Sequence, residues 1–274
     1  MSTLSVGSIL KGRYQVFNVV FQSRLSNVYF VNDLHMKNRI WVVKELLILT
    51  AQPLDKITMV SYFQSKLPEL VKLEHPNYAK IIDYFSEGDR LYLVREYSPG
   101  IDIRTFIESL EAPLPEPRLL DIGYQVADVL DYLSGKNFSP NFYQDFVPQS
   151  IILTMEGHVK LIDLGLARFS MVKRLSSKKS LSPDIYFPPE VFLQESSLNP
   201  QAFVYMVGAL MYHLATLREP DPFNMNPVEM FNHDLSSRAL WLIKKAVKLQ
   251  PNERHKNLKK FKQELSPMVK VKGR

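Results

Sequence analysis

Three short segments place charged side chains inside otherwise apolar runs. Residues 41–45 contain Lys44, residues 143–153 contain Asp145, and residues 159–168 contain Asp163. The chain has no cysteine, which excludes a disulfide framework, a thiolate zinc site and cysteine catalysis. Its 34 Lys and Arg against 28 Asp and Glu give a net charge of +6, which suits an anionic partner such as phosphate, nucleotide or an acidic membrane. Composition alone does not choose among these partners.

The length and composition are those of a folded globular protein. Of 274 residues, 46% are hydrophobic and 23% charged, so one large or two small domains with a substantial core are expected. The N-terminus lacks an apolar signal core, and the longest apolar stretch, residues 203–217, is too short for an ordinary membrane span. We therefore expect a cytoplasmic domain. The basic residues 267–274 are expected to form a solvated tail, with a juxtamembrane segment of a longer chain as the alternative.

The first hundred residues predict a β-rich half. Short β-branched and aromatic runs, separated by turn-type residues, predict five strands at residues 13–20, 27–32, 39–45, 79–85 and 90–96. Between the third and fourth strands, residues 55–73 carry apolar side chains at three- and four-residue spacing, which predicts a helix. Pro68 falls inside it, and an interior proline removes a helical hydrogen bond, so we expect the helix to be kinked or divided there.

The periodicity becomes helical after about residue 100. An apolar stripe from Leu119 to Leu133 predicts one helix, and residues 203–216, apolar nearly all round, predict a buried one. Amphipathic helices are expected at residues 236–249 and 257–265, and the serine-rich residues 170–182 predict a mobile loop. The chain is therefore expected to have two lobes, β-rich to about residue 96 and helical after about residue 101.

The three charged segments, in this order, resemble signature segments of protein kinases, most of all bacterial serine/threonine kinases. Residues 41–45 are similar to the strand-three lysine segment, residues 143–153 to the catalytic loop and residues 159–168 to the Asp-Phe-Gly segment. Further matches are the loop after the C helix, the hinge, the Ala-Pro-Glu segment and the late arginine that pairs with its glutamate, at residues 73–77, 93–97, 188–190 and 251–254.

The resemblance covers about residues 11–266 and implies an α+β, bilobal protein-kinase-like fold. It predicts a five-stranded N-terminal β lobe with one helix at about residues 11–96 and a hinge at about residues 97–100. A mainly helical C-terminal lobe is expected at about residues 101–266, followed by the basic tail.

The resemblance also implies a site for ATP and Mg²⁺. Lys44 matches the lysine that holds the α- and β-phosphates, Asp145 the base that orients the substrate hydroxyl, and Asp163 the main Mg²⁺ carboxylate. Ser150 stands where an asparagine holds a second Mg²⁺ and can supply one oxygen. For both aspartates, capping of a loop or turn is the structural alternative. The other expected nucleotide contacts are Val28, Val42, Glu96, Tyr97 and Ile152.

Several positions in the first half depart from the family pattern. Phe21, Ser23 and Ser26 occupy the positions of the three glycines that cover the phosphates. Lys66 stands where a helix glutamate should pair with Lys44, and Glu69, one turn later, is the alternative partner. Arg95 stands just before the hinge, where an apolar residue is common; it either closes the back pocket or pairs with Glu69.

The second half departs as well. Val147 replaces a lysine that touches the γ-phosphate, and Gln144 replaces the arginine that receives activation-loop phosphate. Phe203 replaces the aspartate that tethers the catalytic loop from the central helix.

These departures favour a pseudokinase, a signalling or scaffold domain that binds a protein partner, with weak or absent binding of ATP and Mg²⁺. The alternative is an active, divergent Ser/Thr kinase that transfers the γ-phosphate of ATP to protein hydroxyls, since Lys44, Asp145 and Asp163 are all kept. A third interpretation is a nucleotide-free module whose basic surface docks on anionic partners. A protein partner or substrate is expected and nucleic acid is not; membrane contact is expected only if the natural chain continues past the basic C-terminus.

Overall fold

The computed structural model describes most of the chain. The described residues are 3–23, 26–37, 39–47, 53–88, 90–136, 138, 142–143, 146–162, 185–193 and 198–269. They fall into two compact units, residues 3–98 and the described residues from 99 onward. Within these ranges no helix is both long enough and apolar enough to cross a membrane.

The first unit is built on an antiparallel sheet of six strands in the order β1-β2-β3-β4-β6-β5. The strands are β1 Ile9–Leu10, β2 Tyr14–Gln22, β3 Ser26–Asp33, β4 Arg39–Leu47, β5 Ile81–Glu87 and β6 Arg90–Glu96. The five predicted strands are therefore confirmed. The sixth, β1, has two residues, which is too short to produce a periodic pattern in the sequence.

One helix, α1 Pro53–Val71, joins β4 to β5. It packs on the sheet through Phe63, whose ring meets that of Tyr84 edge-on at 6.3 Å. The helix is continuous through Pro68, so of the two expected effects, a kink or a division, the division does not occur. Pro68 is exposed and lies three residues before the helix ends, so the hydrogen bond that its missing N–H forfeits is near the frayed end of the helix.

The alternation of side chains gives this sheet two different faces. One face carries the core of the unit, a cluster of buried aromatic and β-branched side chains that includes Tyr29, Val31, Trp41, Val43, Tyr92 and Val94. The residues between them on the same strands point to the other face, which carries Lys44.

The second unit is mainly helical. Its helices are α2 Ile103–Glu108, α3 Glu116–Ser134, α4 Pro189–Leu193, α5 Pro200–Thr216, α6 Ser237–Ala246 and α7 Leu258–Leu265. A small antiparallel sheet joins β7 Gly100–Asp102, β8 Ile151–Thr154 and β9 Val159–Leu161. Gly100 is required in β7, because a Cβ there would lie 2.3 Å from the carbonyl oxygen of Leu153.

Helix α5 is the centre of the second unit and packs against α3, α6 and α7. Asn199 caps its start by accepting a hydrogen bond from the N–H of Ala202, and Leu217 ends it in the left-handed conformation. It is buried from Ala202 to Thr216, and the apolar stripe of α3 is buried against it, so both predicted helices are confirmed. The predicted mobile loop at residues 170–182 lies outside the described residues.

Candidate functional site

Lys44 lies in the middle of β4, directly paired with Val28 on β3 and with Leu93 on β6. Directly paired residues of antiparallel strands have their side chains on the same face of the sheet, so these three form one row. Lys44 is buried, with 8% of its surface exposed. A buried ammonium group is tolerated only where polar or anionic groups compensate its lost hydration. In this row the buried cation of Lys44 lies between two apolar side chains, those of Val28 and Leu93.

A second row lies beside the first on the same face. Val42 pairs with Phe30 on one side and Arg95 on the other, and residues two apart along a strand share a face. Val42 and Arg95 are both buried. The guanidinium of Arg95 donates to the carbonyl oxygen of Glu96 at 3.3 Å. The face thus holds two buried cations, Lys44 and Arg95, next to Val42.

The two expected hinge residues follow directly on β6. Glu96, the last residue of the strand, pairs with Trp41, and its N–H donates to the carbonyl oxygen of Lys80 at 2.9 Å. Tyr97 is half-buried, and its ring packs edge-on against Phe30 at 4.9 Å between centroids. The end of β6 is therefore attached to the Lys44 face through Phe30.

The turn between β2 and β3 is closed by its own hydrogen bonds. Phe21 still pairs with Val28, so the hairpin remains zipped up to Ser23 and Ser26. The N–H and the hydroxyl of Ser23 both donate to the carbonyl oxygen of Ser26, at 2.9 and 2.8 Å, and the N–H of Ser26 donates to the Ser23 hydroxyl at 3.0 Å. Two backbone N–H groups at the positions of the family's glycines are therefore already used inside the turn.

Glu45, the residue after Lys44, has its side chain on the opposite face of the sheet. Glu45 is fully buried, and its carboxylate accepts hydrogen bonds from Asn27 at 2.7 Å, Tyr29 at 2.6 Å, Arg90 at 2.6 Å and Tyr92 at 3.2 Å. Burial and the bond to this carboxylate raise the pKa of Tyr29 to about 12. Sequence reasoning did not single out Glu45; the signal that could have found it is the period-two spacing of polar residues that share its face.

In the second unit, Ser150 ends a 3-10 turn, Pro148–Ser150. Its hydroxyl donates to the carbonyl oxygen of Val147 at 2.7 Å and accepts from the N–H of the same residue at 3.2 Å. Ser150 is buried, and its carbonyl oxygen accepts from the N–H of Ile162 at 2.8 Å. A metal ion at this position would compete with the N–H of Val147 for the hydroxyl oxygen. The Ser150 side chain is thus committed to its own turn.

The remaining expected residues are placed only in part. Ile152 is half-buried on β8, paired with Asp102 and Lys160. Asp145, Asp163, Gln144 and the side chain of Lys66 lie outside the described residues. The described part of the chain contains no group of three His, Asp or Glu side chains arranged to hold a metal ion.

Phe203, at the position of the missing tether, is buried on α5 with its ring against that of Tyr143. Tyr143 is buried as well, and its burial raises the pKa of its hydroxyl. An aromatic contact therefore joins α5 to the segment that precedes Asp145.

The expected ion pair between Arg254 and Glu190 is confirmed. Nη1 and Nη2 of Arg254 donate to the two carboxylate oxygens of Glu190 at 2.7 and 2.8 Å. Nε and Nη2 also donate to the carbonyl oxygens of Lys248 and Leu249. The Arg254 side chain is fully buried, so the pair anchors α4 to the segment before α7.

A buried histidine, which interrupts the apolar stretch of residues 203–217, lies near the same segment and is not among the expected site residues. The hydroxyl of Tyr186 is hydrogen-bonded to Nδ1 of His213 on α5. Burial, with a smaller contribution from the positive charge of Arg104, lowers the pKa of His213 to about 4. The imidazole is therefore neutral in the folded chain at neutral pH.

Comparison with known proteins adds to this geometry. The sequence profile of the protein kinase domain matches residues 24–271. The chain is 21% identical to the probable serine/threonine-protein kinase PknB of Lactococcus lactis over 217 residues, which cover 79% of this chain and 34% of that protein. It is 22% identical to the serine/threonine-protein kinase PrkC of Bacillus subtilis, over 78% of this chain and 32% of that protein. The chain thus spans about a third of the length of these curated relatives.

A solved structure with a similar fold is the kinase domain of Mycobacterium tuberculosis PknI. It aligns with a TM-score of 0.74 and 22% sequence identity, covering 97% of this chain and 100% of that domain.

Proposed function

The chain belongs to the protein kinase family, and within it we propose a pseudokinase, a signalling scaffold that binds a protein partner and holds ATP and Mg²⁺ weakly or not at all. Its fold is α+β and protein-kinase-like, with a β-rich N-terminal lobe and a mainly helical C-terminal lobe. The observation that carries the proposal is the closed turn between β2 and β3.

The turn argues against tight phosphate binding for a simple reason. Kinases cover the nucleotide phosphates with a glycine-rich loop whose backbone comes close to them. Here the N–H groups of Ser23 and Ser26 are bonded within the turn, and no glycine allows the backbone to rearrange. Opening it would break three hydrogen bonds, each worth about 0.5–1.5 kcal/mol net. Nucleotide affinity would fall by about a hundredfold on that account.

The neighbouring face supports the same conclusion. Val42 stands where the family usually has a smaller alanine, and Arg95 is buried beside it in the next strand. A larger side chain at a position expected to meet adenine narrows the adenine slot, and a guanidinium just before the hinge, where an apolar residue is common, makes the surface beside it more polar. Ser150, whose hydroxyl is bonded to Val147, further weakens the second metal position.

Thermal unfolding against ATP tests the proposal. Ligand at a hundredfold excess over its dissociation constant stabilises a folded protein by about 2.7 kcal/mol, so even modest binding raises the midpoint. We expect at most a small Mg²⁺-dependent rise at millimolar ATP. A large rise, equivalent to about 2.7 kcal/mol or more, that Lys44→Ala and Asp163→Asn both abolish would show tight binding and overturn the proposal.

A divergent Ser/Thr kinase that phosphorylates a protein substrate is the second candidate. It is favoured by the Arg254–Glu190 pair, which keeps a family-typical anchor, and by the burial of Lys44. The test is transfer of labelled phosphate from ATP to a generic basic protein by the wild-type chain and by Asp145→Asn. Incorporation lost in the variant without loss of folding would support the enzyme, and no incorporation by either protein would reject it.

A further inference from the structure

The positive charge of the chain is concentrated in one described segment. Residues 236–269 contain nine Lys and Arg and two Glu, a net charge of +7, whereas the whole chain carries +6. This segment comprises α6, α7 and the connection between them. A local excess of this size creates a positive potential that attracts an anionic partner at this surface.

A basic stripe with one aromatic residue runs along α6. Arg238, Trp241, Lys245 and Lys248 follow each other at spacings of three, four and three residues, so they lie along one side of the helix and the turn after it. Trp241 is 47% exposed, and the ammonium of Lys245 lies 4.6 Å from its ring centroid. Nη2 of Arg238 donates to the carbonyl oxygen of Glu264 at 3.2 Å, which ties the stripe to α7.

His255 holds Trp241 in place. It is buried between two rings, edge-on to Trp241 at 5.6 Å and to Phe261 at 5.1 Å. Its Nε2 is 3.1 Å from the carboxylate of Glu264. These contacts fix the orientation of Trp241, whose apolar ring remains exposed at the junction of α6 and α7.

Most cations of this segment are not neutralised within the described part of the chain. Lys244, Arg254 and Lys262 pair with carboxylates. Six other cations form no ion pair with a described carboxylate and, with Trp241, make up what we name the basic face: Arg238, Lys245, Lys248, Lys256, Lys259 and Lys260. Their charge is available to a partner.

We propose that the basic face docks on an anionic phospholipid membrane. Lysines and arginines near a surface of acidic lipids are attracted to it, and tryptophan prefers the headgroup level, where its ring is buried and its N–H stays hydrated. A single exposed ring among lysines fits this arrangement. A nucleic-acid strand is usually held by several stacking rings, and the basic face has one. Leu249, 52% exposed beside Lys248, adds a second apolar side chain to enter the headgroup layer.

Tryptophan fluorescence gives a direct test, because the chain has two tryptophans in different surroundings. Trp41 is buried and its Nε1 donates to Asp33 at 2.9 Å, so a change on adding vesicles reports Trp241. With vesicles of phosphatidylcholine and phosphatidylserine we expect a blue shift, quenching by brominated lipid, and loss of both in Trp241→Phe. Vesicles of phosphatidylcholine alone should give neither.

Two triple variants that remove the same charge test whether vesicle binding depends on the basic face or only on the net positive charge of the protein. Lys256→Gln, Lys259→Gln and Lys260→Gln combined should weaken vesicle binding about tenfold or more. Lys37→Gln, Lys72→Gln and Lys136→Gln remove the same charge from exposed sites elsewhere and should leave it unchanged. Equal loss in both, or no binding to phosphatidylserine vesicles, would overturn the proposal. Binding to an oligonucleotide without quenching by brominated lipid would assign the face to nucleic acid instead. Unchanged thermal midpoints exclude unfolding as the cause.

Discussion

The ring of Phe203 meets the ring of Tyr143 edge-on, with centroids 4.6 Å apart and an angle of 73° between the planes. The hydroxyl of Tyr143 donates to the carbonyl oxygen of Leu133 at 2.8 Å, so the tyrosine is held by α5 on one side and the end of α3 on the other. Where protein kinases use an aspartate at the position of Phe203, this chain uses an apolar contact. Edge-to-face packing fixes the segment before Asp145 without burying a charge.

Restoring the family's aspartate should therefore damage this chain. Phe203→Asp is expected to lower the free energy of unfolding by about 3–5 kcal/mol, because it leaves a cavity beside Tyr143 and buries a carboxylate. Urea unfolding measures the change. Phe203→Leu, which keeps an apolar side chain, should cost distinctly less. A Phe203→Asp variant as stable as Phe203→Leu would contradict the aromatic anchor.

The Arg254–Glu190 pair predicts a large effect from one small substitution. Glu190→Ala removes the carboxylate and leaves the guanidinium of Arg254 in a fully buried position, which should cost about 3–5 kcal/mol. The exposed pair of Lys244 and Glu229 supplies the control, since Glu229→Ala should cost less than about 1 kcal/mol. Both are measured by urea unfolding at the same pH. Similar losses in the two variants would show that burial of Arg254 does not decide the energy.

His213 predicts a loss of stability in mild acid. The pKa of its imidazole is about 4 in the folded chain and about 6.5 in the unfolded chain, so between these values only the unfolded chain binds the proton. Stability therefore falls as the pH drops through this window, by up to about 3 kcal/mol. Burial lowers the pKa of His255 too, which adds to the same slope.

The check is urea unfolding across this pH range. His213→Gln, which keeps a hydrogen-bonding group beside Tyr186, should remove part of the slope. An unchanged slope in His213→Gln would mean that the histidine is not the group that titrates.

The sequence was sufficient for features that repeat along one element. The spacing of Leu119, Leu130 and Leu133 identifies the buried face of α3, because a helix has a fixed period. The sequence is insufficient where the effect of a residue depends on how far it lies from the end of its helix. Pro68 does not divide α1, since its effect depends on where the helix ends.

Contacts between residues that are far apart in the sequence cannot be predicted from local patterns. Phe203 departs visibly from the family pattern, but its partner Tyr143 lies sixty residues earlier, and no local pattern links the two. Glu45 adjoins the motif lysine, yet its burial depends on three strands that place Asn27, Tyr29 and Tyr92 around it. The lining of the candidate site follows from the sequence only once the register of β3, β4 and β6 is known.

Calorimetric titration of Mg²⁺ and ATP into the wild-type chain and into a Ser23→Gly, Ser26→Gly double variant tests the central claim most directly. The variant loses both bonds of the Ser23 hydroxyl and gains backbone freedom, so the closed turn predicts weak or no binding by the wild type and distinctly tighter binding by the variant. Ser5→Gly with Ser8→Gly, in another exposed turn of the same unit, is the matched control and should bind like the wild type. Wild-type binding as tight as that of the Ser23→Gly, Ser26→Gly variant would contradict the account.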